Sequence, residues 1–201
     1  MFLKIKVTSE NDVKNLFACI KSKFGKLNVA VNCAGISIAA VVYNQNKDRV
    51  HSYEDFIKVL TVNTGGTFNI LRLSSQMMAK NEPNSNGERG VIINTASTAA
   101  FDGQKGQAAY SASKGAIVGM TLPLARDLSI LGIRVVTIAP GLFNTLSLNS
   151  LPEKVQSFLA NRIPFPSRFG SPDEYAHLVQ FIIENHFING EIIRIDGALR
   201  S

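Results

Sequence analysis

No stretch of the 201-residue sequence approaches the eighteen or so consecutive apolar residues of a membrane span, and Met1-Phe2-Leu3-Lys4 runs into polar sequence instead of a signal-peptide core. No membrane insertion is expected. Cysteine is scarce: Cys19 falls in a helical pattern and Cys33 in a strand-like one, and neither has metal-ligand spacing around it. That usage predicts core thiols in a reducing compartment and no metal site. Charge of one sign is not clustered. A net charge of +6 would suit an anionic partner such as a nucleotide, a coenzyme A phosphate or RNA, but the Lys and Arg residues are scattered, which argues against a specific nucleic-acid surface. Glycine is missing before Gly25, an absence that matters below. With 45% hydrophobic and 18% charged residues, the composition is that of an ordinary folded domain long enough for one full core.

The apolar spacing and the punctuation between runs predict alternating strands and helices. Leu3 to Val7 reads as a short strand, and Ser9-Glu10-Asn11-Asp12 opens a helix to about Phe24, stopped by Gly25. Leu27 to Asn32 is the next strand, ending in Asn32-Cys33-Ala34-Gly35, whose small residues let a ligand approach the backbone. After a polar stretch from Tyr43 to His51, Ser52-Tyr53-Glu54-Asp55 caps a long helix through Phe56, Val59, Leu60, Phe68, Leu71 and Leu73, with Asn63 inside its apolar pattern. A second polar insertion, Asn81 to Gly90, precedes the strand Val91 to Ala96. The helix around Tyr110 runs to about Leu128, and the strand Ile133 to Ile138 turns at Pro140-Gly141. Leu142 to Phe169 is irregular apart from one short helix after Pro152, the length of a functional lid or binding loop. Ser171-Pro172-Asp173-Glu174 supplies an N-cap, a proline at the first helical position and acidic residues in the first turn, so a helix starts there and ends near Asn185. Gly190 to Ile195 is the last strand. The alternation predicts one α/β domain over residues 1–201 with a doubly wound, mainly parallel sheet.

One constellation carries chemistry. Tyr110 and Lys114 are four residues apart, so a helix places them on one face, and Ser97 follows an apolar strand at its C-terminal end, where ligands of open α/β sheets bind. A phenol ionises near pH 10, and a proton-transfer catalyst works best nearer the working pH, so a cation beside the ring has a purpose. Taken alone, Tyr-x-x-x-Lys is equally an exposed helix pair. The serine at a strand end, and the further motifs at other strand ends, raise it to a site for moving a proton to or from an alcohol oxygen.

Asn32-Cys33-Ala34-Gly35, Asn63, Ser97, Tyr110-x-x-x-Lys114 and Pro140-Gly141 resemble, in order and spacing over essentially the whole chain, the motifs of the short-chain dehydrogenase/reductases, nicotinamide-dependent oxidoreductases of Rossmann type. Further stretches that carry the resemblance include Ala139 to Phe143, Leu151 to Val155 and Ile163 to Arg168. The resemblance implies that Tyr110 is the general base in oxidation, that Ser97 and Tyr110 hold the substrate oxygen, and that Lys114 binds the nicotinamide ribose and lowers the tyrosine pKa. It implies that Asn63 holds a relay water. Its other reading is a mid-helix polar residue bonding its own backbone. Phe143 and Thr145 would close over the nicotinamide, and Cys33 and Gly35 would line the cofactor, Cys33 mainly through its backbone. Read by itself, Cys33 is a small buried hydrophobe. Val7 would sit at the adenine.

The resemblance further implies NAD as cofactor and secondary alcohols as substrates, chiefly 3-hydroxyacyl-CoA thioesters and also hydroxysteroids. It implies a mitochondrial homotetramer, with a tRNA methyltransferase as a possible partner in a non-catalytic scaffold role. Four departures stand out: no Gly-x-x-x-Gly-x-Gly turn, Lys6 in place of aspartate, Thr64-Gly65 in place of an apolar pair, and an early stop at Ser201. The first leads to the expectation that roughly 50 to 60 residues, two β-α units, precede this sequence in a complete enzyme. Val29 to Val31 would then be an exposed sheet edge.

Overall fold

The computed structural model describes residues 2–145, 148 and 152–200, so Leu151 of the Leu151–Val155 stretch lies outside the described residues. Its order follows local signals closely. Ser9 caps α1 (Glu10–Phe24) by accepting from the Asp12 amide, and Gly25 ends it at a φ of 75°, a left-handed conformation glycine adopts without cost. Strand β1 (Val29–Asn32) follows, then a small antiparallel hairpin, β2 (Tyr43–Asn44) and β3 (Arg49–Val50), inside the stretch read as merely polar. Strands of two residues leave no periodicity to read. Helix α2 (Tyr53–Leu60), capped by Ser52, runs through one π-helical turn (Thr61–Gly65) into α3 (Gly66–Met78), so the predicted long helix is continuous but locally widened at Asn63. Strand β4 (Gly90–Thr95), α4 (Ala108–Ser129), β5 (Ile133–Pro140), α5 (Glu153–Ala160), α6 (Pro172–Glu184) and β6 (Ile192–Ile195) complete it.

Four parallel strands form a sheet in the order β1-β4-β5-β6. Strand β4 is buried from Gly90 to Asn94, and its Val91-Ile92-Ile93 run is apolar on both faces, as a central parallel strand covered on both sides requires. One face, with Ile92, Ile133 and Val135, packs against Leu71 and Met78 of α3 and Ala125 of α4. The other face, with Val91, Ile93, Val136 and Ile138, packs against Ile182 and its neighbours on α6. The doubly wound α/β expectation is met. Strand β1 is the edge, and Val31 is 40% exposed.

The expected strand at Leu3–Val7 does not form. Its backbone groups are engaged otherwise: the Lys6 amide donates to Asp12 Oδ2, the Lys6 carbonyl accepts from the Ser9 amide, and the Val7 carbonyl accepts from Asn69 Nδ2. A strand needs a neighbour's ladder, and among the described residues none lies alongside. Val7 packs instead on α3, where a Cβ on Gly66 would meet Val7 Cγ2 at 2.5 Å. The thiols also depart from expectation: Cys33 is exposed and Cys19 only half-buried. As the first residue beyond β1, Cys33 faces the open end of the sheet.

Candidate active site

At the C-terminal ends of β1 and β4 the chain brings together residues far apart in sequence. Helix α4 buries Ala109, Ser113, Ile117 and Thr121 against the sheet, and Lys114 lies on the same buried stripe, 4% exposed. A buried ammonium needs acceptors. Lys114 Nζ donates to the Thr95 carbonyl at 2.7 Å and stands 5.7 Å from the Tyr110 ring centroid. Ser97 is the extended residue that caps the short 3-10 turn Thr98–Ala100; its Oγ accepts from the Ala99 amide at 3.1 Å, and its side chain lies close enough to the Tyr110 phenol to hold its pKa down. Ser97, Tyr110 and Lys114 therefore form one contiguous group.

Burial acts oppositely on the two titratable members. It pushes the Tyr110 phenol up, partly offset by the Ser97 hydrogen bond, and pushes Lys114 down to about 8, against the electrostatic influence of Cys33. The expected lowering of the tyrosine by the lysine is not what the resting site shows. Yet a unit positive charge at this range favours tyrosinate by on the order of 2–3 kcal/mol at an effective dielectric near 20, so the pair is arranged for it.

Asn63, fully buried in the π turn, does not bond its own backbone. Its Nδ2 donates to the Ile36 carbonyl at 2.9 Å and to Ser113 Oγ at 2.9 Å, and its Oδ1 accepts from the Ile36 amide at 2.8 Å. Both amide protons are used, so any relay water would be held only through the remaining lone pair of Oδ1. The side chain clamps the Gly35–Ile36 loop onto α4. Thr64, one of the departures, donates from Oγ1 to the Ser113 carbonyl at 3.1 Å and strengthens the same joint. A Cβ at Gly35 would lie 3.2 Å from Asn63 Oδ1 and 3.6 Å from Lys114 Nζ, so glycine lets the Asn63 amide and the lysine pack closely against this loop.

The remaining sites separate into two groups. Cys33 and Phe143 reach the same region: Thr95 Oγ1 donates to Cys33 Sγ at 3.5 Å, and the Phe143 ring meets Tyr175 edge-on with centroids 6.2 Å apart. Tyr175, whose hydroxyl lies 2.7 Å from Thr95 Oγ1, is a site residue that sequence reading missed. Thr145 is exposed and accepts from the Leu148 amide, while Val7 is bound to α3 and joined by no hydrogen bond to the Tyr110 group. Among the described residues no cluster of His, Cys, Asp or Glu could hold a metal, and no helix is long and apolar enough to cross a membrane.

A serine, a tyrosine and a lysine converge at the strand ends of a doubly wound sheet, and a family model described as Enoyl-(Acyl carrier protein) reductase matches residues 1–199. The chain belongs to the short-chain dehydrogenase/reductase family and is an oxidoreductase. It is 64% identical over 200 residues to human 3-hydroxyacyl-CoA dehydrogenase type-2, a match that takes in all of this chain and 77% of the human protein. The Drosophila melanogaster protein of the same name is 62% identical over 200 residues, 100% of this chain and 78% of that protein. The crystal structure of 3-hydroxyacyl-CoA dehydrogenase type-2 from Mycobacterium avium superposes with a TM-score of 0.93 at 40% identity, covering 100% of this chain and 77% of that one.

Proposed function

We propose that the protein oxidises secondary alcohols with NAD, chiefly 3-hydroxyacyl-CoA thioesters to 3-oxoacyl-CoA and secondarily hydroxysteroids. The observation that carries this is the contiguous Ser97–Tyr110–Lys114 group beside the Gly35 backbone. The names of the relatives support the substrate class. The fit to a nicotinamide rests on Gly35 beside Lys114, on Cys33 joined to Thr95, whose carbonyl holds Lys114, and on Phe143, linked to Thr95 through Tyr175.

The bound dinucleotide supplies a hydride acceptor; the rest falls to this chain's side chains. Ser97 Oγ, already accepting from the Ala99 amide, keeps its proton for an oxygen, so it donates to the substrate oxygen and offsets the charge that develops there. Tyr110 takes the hydroxyl proton at its phenolic oxygen, and Lys114 stabilises the tyrosinate that makes this possible. Asn63 holds the Gly35–Ile36 loop beside the lysine. Mitochondrial residence and a homotetramer belong to the same reading; the exposed Phe68 of α3 and Leu122 of α4, each 44% exposed, support an association through those helices.

A second reading, a non-catalytic scaffold beside a tRNA methyltransferase, draws on one sequence fact: residues 1–24 contain no glycine, so these residues hold no glycine-rich pyrophosphate turn. A substrate panel separates the two. NAD or NADP would be offered with a 3-hydroxyacyl-CoA, a hydroxysteroid and a simple secondary alcohol, and reduced cofactor measured. The enzyme reading expects NAD reduction greatest with the thioester; no reduction with any pair would leave the scaffold.

A further inference from the structure

The hydrogen-bond accounting around Thr95 gives Tyr175 a task. The Thr95 hydroxyl has one proton, and it is directed at Cys33 Sγ, 3.5 Å away. The same oxygen lies 2.7 Å from the Tyr175 hydroxyl, so Thr95 joins Tyr175 to Cys33. Burial pushes the Tyr175 phenol up, so it keeps its proton throughout the physiological range. The carbonyl of the same Thr95 accepts from Lys114. On its other side the Tyr175 ring meets Phe143 at an interplanar angle of 90°, the edge-to-face contact aromatic pairs prefer.

Tyr175 is also held rigidly. It is the next residue after Glu174, the acid of a complete capping box: the Ser171 amide donates to Glu174 at 2.7 Å, and Arg168 clamps the carboxylate with two bonds of 2.9 Å. The side chain thus projects from the first turn of α6, fixed by local chemistry, to the ends of β1 and β4 and the segment beyond β5.

Building on the proposed function, we propose that Tyr175 is a positioning residue of the cofactor site: its hydroxyl orients Thr95 toward Cys33, and its ring backs Phe143, so that one side chain sets the spacing of the three segments around Lys114. Tyr175→Phe keeps the ring and loses the hydroxyl; Tyr175→Leu loses both. Thr95→Val removes the same hydrogen bond from the other side while leaving the carbonyl for Lys114.

The test has two readouts. One is the KM for NAD against kcat with a 3-hydroxyacyl-CoA. The other, independent of turnover, is the NAD concentration that half-protects Cys33 from iodoacetamide, read by mass spectrometry on its peptide. Tyr175→Phe is expected to raise both NAD concentrations about fivefold with kcat little changed, and Tyr175→Leu roughly tenfold or more. Thr95→Val should match Tyr175→Phe, and the double variant should be no worse than either single, because both remove one interaction. If Tyr175→Phe protects like the parent, or its effect adds fully to that of Thr95→Val, the assignment is wrong while the proposed function stands. If NAD neither turns over nor protects Cys33 in the parent, the proposed function fails and this assignment with it.

Discussion

Replacing Asn63 with alanine tests whether its amide is the brace of the site. The substitution removes three hydrogen bonds of 2.8 to 2.9 Å, two from Nδ2 and one to Oδ1. The Ile36 amide and carbonyl lose their partner, whereas Ser113 Oγ keeps its own bond to the Tyr110 carbonyl at 2.7 Å. At about 1 kcal/mol for each bond, and with Asn63 wholly buried, the loss is about 3 kcal/mol. For a chain of this length that lowers the Tm by roughly 6–12 °C. Asn63→Asp should do no better, because it keeps the acceptor for the Ile36 amide but sets an oxygen against the Ile36 carbonyl. Urea unfolding followed by far-UV circular dichroism measures the difference. A loss below about 1 kcal/mol would refute the reasoning, for it would mean that water replaces all three bonds and that the Gly35–Ile36 loop does not depend on Asn63.

Two further substitutions have consequences of known sign. The folded-state pKa of Lys114, about 8, lies below its ordinary 10.5. Between those values the unfolded chain holds a proton that the folded protein has released, so the lysine makes stability rise with pH through that window. Lys114→Met should abolish that rise and stabilise the resting fold at pH 7 by at most a few kcal/mol, which denaturant titrations at pH 7 and pH 10 would show. At the opposite end of β5, Arg134 is 7% exposed, pairs with Glu88 and donates to the carbonyls of Ile182, Ile183 and Ile188. Arg134→Met should cost about 3–5 kcal/mol in urea unfolding, with Arg134→Met/Glu88→Gln losing less, and should leave kcat of the folded fraction unchanged.

What the sequence revealed is what local chemistry decides. Ser9, Ser52 and Ser171 were legible as helix starts because each cap bonds within three residues, and β4 was legible because a strand buried on both faces carries consecutive apolar residues, here Val91 to Ile93. Leu3–Val7 misled because a strand exists only through its neighbours, and here Asp12 and Asn69 take its backbone groups. The place of Asn63 could be read, but its task could not: its partners lie 27 and 50 residues away. Tyr175 left no signal at all, since a tyrosine after a capping box looks like any amphipathic helix residue until the fold sets it against Thr95 and Phe143. Cys33 read as a core thiol because its strand was apolar, yet it is the first residue beyond the strand's end.

The account depends most on Tyr110 as the group that exchanges the proton. The measurement that tests it directly is kcat for NAD-linked oxidation of a 3-hydroxyacyl-CoA by the parent and by Tyr110→Phe, alongside NAD protection of Cys33 in both. The account predicts a loss of at least about 100-fold in kcat with protection retained, because the phenylalanine removes only the phenolic hydroxyl and keeps the ring beside Lys114. Equal turnover by the two proteins would contradict it.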